Sequence, residues 1–292
     1  MSKKTNVLSR FLEKAFKLPP VVPLVRVGGV IGGGGGPLRQ SISARSLYPA
    51  LERAFKLPRA KAVAIVVNSP GGSPVQAALI AQRLRELSEE KNLPVYAFCE
   101  DVAASGGYWI ACAADEVYAH ENSVVGSIGV VSAGFGFPGL LDKLGVERRV
   151  HASGERKAML DPFRPEDPED VKHLEALQED VHESFKSIVR ERRGERLKAS
   201  EDKLFSGAFW TGKTSLELGL VDGLGTPREV LRKRFGDRVK TPQVEAQRGW
   251  LRRRLPFGTL GDSQDAPARA TAWASGVISA LEERALWGRY GL

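Results

Sequence analysis

The chain has 292 residues, of which 42% are hydrophobic and 27% charged, the balance of a soluble globular protein with enough apolar material for one large domain or two small ones. Lys and Arg outnumber Asp and Glu by 43 to 35, a formal charge of +8, and local basic excess of this kind suits an acidic surface as partner. No apolar run approaches the roughly 18 residues of a membrane span, the first residues lack the h-region and cleavage site of a secretory signal, and Cys99 and Cys112 fit no metal-ligand spacing, so they are read as buried thiols in a reducing, cytoplasmic compartment.

Residues 7–18 place Leu8, Phe11, Leu12, Ala15 and Phe16 at helical spacing, with Arg10, Lys14 and Lys17 on the remaining face, before Pro19 and Pro20 end the run. Such a basic amphipathic helix suits docking on the protein's own body or peripheral contact with the inner face of a membrane. Residues 23–31 read as a strand, and the glycines of 32–36 as a mobile loop that lacks the Lys and Ser/Thr of a phosphate-binding loop. A buried strand follows over 62–67. A helix then runs over 74–87, with Ser73 as its cap and Pro74 at its first position, and a second strand covers 95–99. Alternation of this kind predicts an α/β fold with a mainly parallel sheet. A long amphipathic helix is expected over 166–193 on Val171, Leu174, Val181, Phe185 and Ile188, and beyond 236 the chain turns irregular around Arg252, Arg253 and Arg254 before a last helix carrying Trp273, Val277 and Leu281. The expected organisation is an N-terminal helix over 1–21, a main domain over 22–235 and a tail over 236–292.

The chemistry concentrates at two turns. The first strand runs into Asn68-Ser69-Pro70-Gly71-Gly72-Ser73, whose glycines free backbone N–H groups ahead of a helix, an arrangement that stabilises developing negative charge. The second runs into Ala104-Ser105-Gly106-Gly107-Tyr108, which sets Ser105 at a helix start on the carboxyl edge of the sheet, where α/β folds place ligands. One such turn reads as an N-cap; two on successive strands point to a shared oxyanion-type site. An activated serine needs a base. His120, His151, His173 and His182 have no flanking pattern that would orient them, and the last two read as surface positions on the long helix. A buried lysine can serve instead, but spacing alone does not say which.

Five segments, Asn68-Ser69-Pro70-Gly71-Gly72, Ala104-Ser105-Gly106-Gly107-Tyr108, Gly126-Ser127-Ile128-Gly129-Val130, Ser153-Gly154-Glu155-Arg156-Lys157 and Gly219-Leu220-Val221-Asp222, occur in the order found in the signal peptide peptidase A and SohB-like serine peptidases, which the chain resembles from about residue 23 to 235. The resemblance implies a ClpP/crotonase-like spiral of ββα units. It also implies that Ser105 attacks the scissile carbonyl and Lys157 is the general base of a Ser–Lys dyad. Ser127 would orient the lysine, and the Gly72 and Gly106 amides, with Gly71 as their neighbour, would form the oxyanion hole. Ala158, Met159 and Leu160 after Lys157 would help to desolvate it. The family implies no metal or cofactor, apolar or unfolded peptides such as remnant signal peptides as substrates, and assembly into a ring or dome. Nucleic acid is not an expected partner.

Other readings are weaker. Gly207-Ala208-Phe209-Trp210-Thr211-Gly212-Lys213-Thr214 formally matches a phosphate-binding loop, but Phe209 and Trp210 occupy it and no apolar strand precedes it. His182-Glu183 lacks the second histidine of a zinc peptidase, since position 186 is Lys186. A crotonase-like acyl-CoA enzyme would share the fold and the oxyanion amides without needing the dyad. A non-catalytic peptide- or membrane-binding scaffold would need neither Ser105 nor Lys157.

Overall fold

A computed structural model describes residues 18–32, 42–245 and 285–291. The helix expected over 7–18 lies outside these residues but for its last position, and the glycines at 33–36, the arginines at 252–254 and the helix around Trp273 lie wholly outside. Strands β1 (Leu24–Gly28), β2 (Val63–Ser69), β3 (Val95–Ala104), β4 (Glu116–Ala119) and β7 (Gly223–Leu224) lie side by side in that order, each parallel to the next. The expected α/β architecture with a mainly parallel sheet is the one observed.

β2 sends Val63, Ile65 and Val67 into one core and Ala64 into another. A strand covered on both faces has no use for polar alternation, which explains its unbroken apolar run. The larger core is supplied by helices α1 (Ala44–Phe55) and α2 (Pro74–Lys91), through Leu47, Leu51 and Phe55 and through Ile80, Leu84 and Leu87. Tyr96 and Phe98 of β3 face the opposite side, where Leu231 of helix α8 (Pro227–Phe235) covers them. Helix α2 starts as expected, with Ser73 accepting from the Gln76 amide, but runs on to Lys91 because Asn92 supplies a left-handed C-cap at φ 49°. Residues 239–244 lie along β1, where Val22 donates to Lys240 and Leu24 to Pro242.

β3 is twice as long as the apolar run that marked it, and it forks. Its first part, Tyr96 to Cys99, pairs with β4, and its last, Val102 to Ala104, pairs with β5 (Val124–Gly126). Between these the register against β2 shifts from Val67 opposite Cys99 to Ser69 opposite Ala103. The bulged residues include Glu100 and Asp101, whose charges ended the apparent strand. Asn68 holds the bulge: its Nδ2 donates to Asp101 Oδ2 at 2.8 Å, and its Oδ1 accepts from the Val102 amide at 3.2 Å. β5 in turn pairs antiparallel with β6 (Phe209–Thr211).

The two short helices α3 (Gly106–Cys112) and α4 (Pro138–Leu144) differ sharply. Every residue of α3 is buried and none of α4 is. The long helix α5 (Pro168–Arg193) buries only Phe185, Val189 and Arg193, in its C-terminal part. Phe185 stacks on Trp109 of α3 at 4.8 Å. The other positions expected to face the core, Val171, Leu174, Val181 and Ile188, are half-buried, because the start of α5 adjoins an exposed arm over residues 130–166. A 3₁₀ turn (Gly194–Arg196) and the short helices α6 (Glu201–Leu204) and α7 (Gly212–Glu217) lie between α5 and β7.

Candidate active site

Ser105 stands where β3 turns into α3, at φ 51° and ψ −125°. This conformation is costly for any residue with a Cβ and is the geometry of a nucleophile elbow, which lifts a hydroxyl out of a strand-to-helix turn. Neighbours hold it there. The Ser105 amide donates to the Gly126 carbonyl at 2.9 Å and the Ser105 carbonyl accepts from the Trp109 amide at 3.0 Å. Behind it, the buried Tyr108 hydroxyl donates to the Leu220 carbonyl at 2.7 Å. Gly107 is required by packing, since a Cβ there would stand 2.7 Å from the Ser69 carbonyl oxygen.

The 68–73 turn lies directly against this elbow. Gly71, at φ 104°, leaves no room for a side chain: a Cβ would fall 2.6 Å from the Ser105 Cβ and 3.0 Å from its Oγ. Ile31 fixes the turn by donating to the Gly71 carbonyl and accepting from the Ser73 amide, both at 2.8 Å. In this parallel bridge the Gly72 N–H necessarily points away from Ile31. The Gly72 nitrogen lies 3.6 Å from the position a Cβ on Gly106 would occupy. The amides of Gly72 and Gly106 donate to no acceptor among the described residues, whereas the Gly71 amide donates to Ser69 Oγ at 3.2 Å. Two amides with no acceptor among the described residues thus lie close to Ser105, and amides of this kind can receive an oxyanion.

Ser127 follows β5 in a left-handed conformation at φ 55° and is 6% exposed, its amide donating to the Ala208 carbonyl at 2.7 Å. It lies one residue beyond the carbonyl that anchors Ser105. Lys157 is placed differently. It sits in the exposed arm, where its ammonium makes no hydrogen bond or ion pair among the described residues, and its Cγ faces Gly154. Of the residues expected to desolvate it, Ala158 and Met159 are half-buried and Leu160 is 40% exposed, while Lys157 itself is exposed in the single chain.

None of the histidines hydrogen-bonds Ser105. His182, read as a surface residue, is half-buried, with Nε2 3.2 Å from the Ile128 carbonyl, because α5 packs beside the 126–129 segment. An open cleft of about 420 Å³ lined by Arg26, Glu100, Asp101, His120, Asn122 and Ser123 contains none of the expected site residues. The formal phosphate-loop match is occupied by β6, whose backbone is engaged with β5, so it offers no cradle of free amides.

Asp222 holds the fold together. Asp222 receives the wholly buried Arg193 guanidinium at 2.7 and 3.0 Å and the Val117 amide at 2.7 Å, binding α5 to β4. Burial pushes the Asp222 carboxyl up, but the bonds from Arg193 and Val117 outweigh it and hold the group below the usual carboxylate range. Cys99 and Cys112 are free and buried, as expected, and desolvation pushes their thiols up to about 12 and about 11. No helix among the described residues is long and apolar enough to cross a membrane.

The chain matches peptidase family S49 over residues 88–236. It is 49% identical over 289 residues to a Brucella abortus protein named Na(+)/H(+) antiporter NhaA, an alignment covering 98% of this chain and 39% of that protein. The chain therefore spans about two fifths of the length of that relative. An Enterococcus faecium protein named for the signal peptide peptidase SppA is 31% identical over 229 residues, 77% of this chain and 66% of its own. A Synechocystis protein named as a protease is 35% identical over 210 residues, 70% of this chain and 73% of its own. The match covers the elbow, α5 and Asp222 alike, and this chain belongs to peptidase family S49, among the serine peptidases related to SppA and SohB.

Proposed function

We propose that the protein is a serine endopeptidase in which Ser105 is the nucleophile, Lys157 the general base, Ser127 the group that orients the lysine amine, and the Gly72 and Gly106 amides the oxyanion hole. The observation that carries the reading is the strained Ser105 elbow with two unengaged amides beside it. In this mechanism Ser105 Oγ attacks the peptide carbonyl as its proton passes to the lysine amine. The carbonyl oxygen, now negative, rests on the two amides, and the lysine returns the proton to the leaving amine. Water then hydrolyses the acyl-enzyme by the same route. The substrates are unfolded or apolar peptides, remnant signal peptides among them, in keeping with the names of the SppA relatives. Antiport is not proposed, since this chain covers only 39% of the relatives that carry that name.

A lysine works as a base only when burial favours its free amine, so Lys157 needs cover that the single chain does not supply. The arm that carries it exposes Phe135 at 83%, Leu144 at 64% and Val131 at 63%, an apolar surface that calls for a protein partner. The assembly proposed is a homo-oligomer in which the arm of one copy brings Lys157 to Ser105 of its neighbour. Wild-type, Ser105→Ala and Lys157→Ala proteins are incubated with unfolded casein and a synthetic apolar peptide, and new amino termini are read by mass spectrometry. Cleavage by wild type alone is expected. Mixing the two inactive variants in equal amounts should restore about one quarter of wild-type activity if each site draws its residues from two copies. Undiminished cleavage by Lys157→Ala removes the lysine from the mechanism, and failure of an active-serine phosphonate to label Ser105 favours the acyl-CoA or scaffold reading.

A further inference from the structure

The described residues near the C-terminus, 285–291, return to the site. Residues 285–288 make a turn of helix, and the Tyr290 hydroxyl that follows lies 3.2 Å from Ser127 Oγ and 3.4 Å from the Pro70 carbonyl oxygen. The Tyr290 ring packs edge-on against Phe209 at 5.0 Å and 68°. These contacts reach both segments that adjoin Ser105. Pro70 precedes Gly71, which abuts Ser105, while Phe209 is the β6 partner of Gly126, whose carbonyl receives the Ser105 amide.

We propose that the C-terminal segment is an intrasteric inhibitor, with the Tyr290 phenol occupying the position from which a lysine amine would reach Ser127. The inference rests on the assignment of Ser127 above. Ser127 is 6% exposed, so its hydroxyl has little room for a second partner while Tyr290 holds it. A docked phenol therefore leaves Ser105 without its base and bars a peptide from the space between Phe209 and Pro70. Attachment makes the competition unequal, since a segment of the same chain binds intramolecularly while a peptide must bind from solution. Substrate or a change in the assembly must displace it before turnover.

The contact is a ring pair and one shared hydroxyl proton, so its removal is expected to lower KM by about tenfold with kcat unchanged. Full-length wild type, Tyr290→Phe and Tyr290→Ala are compared on the synthetic apolar peptide, with amide hydrogen exchange followed over 126–129 and 285–291. Tyr290→Ala should show the full fall in KM and faster exchange at both segments. Tyr290→Phe, which keeps the stack on Phe209, should fall between. A synthetic peptide of residues 285–292 should inhibit Tyr290→Ala competitively, and a version with Phe for Tyr should do so less well. An unchanged or raised KM in both variants overturns the proposal, as does loss of kcat in Tyr290→Phe, which would make the hydroxyl a helper rather than a block. If phosphonate labels Ser105 equally in all three proteins and KM does not move, the tail is at fault; if none is labelled or cleaves, the peptidase reading falls and the inhibitory role falls with it.

Discussion

Replacing Ser105 by glycine should make the protein more stable while abolishing its chemistry. A residue with a Cβ held at φ 51° and ψ −125° costs about 1–3 kcal/mol. Glycine removes that cost, and the greater freedom it gives the unfolded chain offsets about 0.5–1 kcal/mol of the gain. Alanine keeps the Cβ and the strain, so Ser105→Gly should exceed Ser105→Ala by about 1 kcal/mol. Urea unfolding followed by fluorescence reads the difference as a midpoint higher by about 0.3 M at equal slope. Both variants lose phosphonate labelling, so the comparison separates strain from chemistry. A Ser105→Gly midpoint at or below that of Ser105→Ala would show that the elbow stores nothing, and that the turn around Gly71 and Gly106 accommodates a side chain without cost.

Gly71→Ala should slow phosphonate labelling of Ser105 by about 100-fold or more, because the new Cβ falls 2.6 Å from the Ser105 Cβ and must push the elbow away from its amides; labelling at the wild-type rate would contradict the packing. Asp222→Ala should destabilise by about 3–5 kcal/mol in urea, since it leaves the buried Arg193 charge without its counter-ion and with the Gly219 carbonyl as its remaining acceptor. The Asp222 carboxyl is held below its usual range, so the stability it contributes is present above about pH 3.9 and is lost as the pH falls below that through the folded value; the gap between wild type and Asp222→Ala should close in that window. Cys99 and Cys112 should resist a thiol reagent at pH 8 in the native protein and both react in denaturant, because burial raises them to about 12 and about 11. Their stabilising effect is complete below the ordinary thiol value of about 8.5 and declines as the pH rises above it, so native stability should fall on the alkaline side.

The parts of the site that were legible in the sequence are those made by backbone. Both turns, the cap at Ser73 and the strand-to-helix setting of Ser105 follow from glycine, proline and serine at fixed offsets, and all stand where expected. What could not be read depends on contacts between distant segments. Glu100 and Asp101 look like the end of a strand because no local rule says that Asn68, 33 positions before Asp101, will bridge the bulge. Arg193 looks like a surface residue in the basic end of a helix until Asp222 is brought to it. Tyr290 carries no local signal at all, since its partners at Pro70, Ser127 and Phe209 lie in three other segments.

Ser105 and Lys157 occupy opposite physical regimes, and this asymmetry is itself an argument about control. Ser105 is over-determined: a buried helix, the Gly126 carbonyl and a side-chain-free turn leave it one conformation. Lys157 is under-determined, exposed on an arm whose helix α4 buries nothing. A peptidase whose nucleophile is always ready gains safety if its base is conditional, because the chemistry then requires an event that both buries the lysine and admits a peptide. Under the proposed mechanism Ser127 is the point where those conditions meet, since its one hydroxyl would not serve the lysine while the Tyr290 phenol holds it. Under the proposed mechanism, setting a half-buried serine on a buried helix and the lysine on an uncovered arm would tie activity to the state of the proposed assembly rather than to the folding of a single chain.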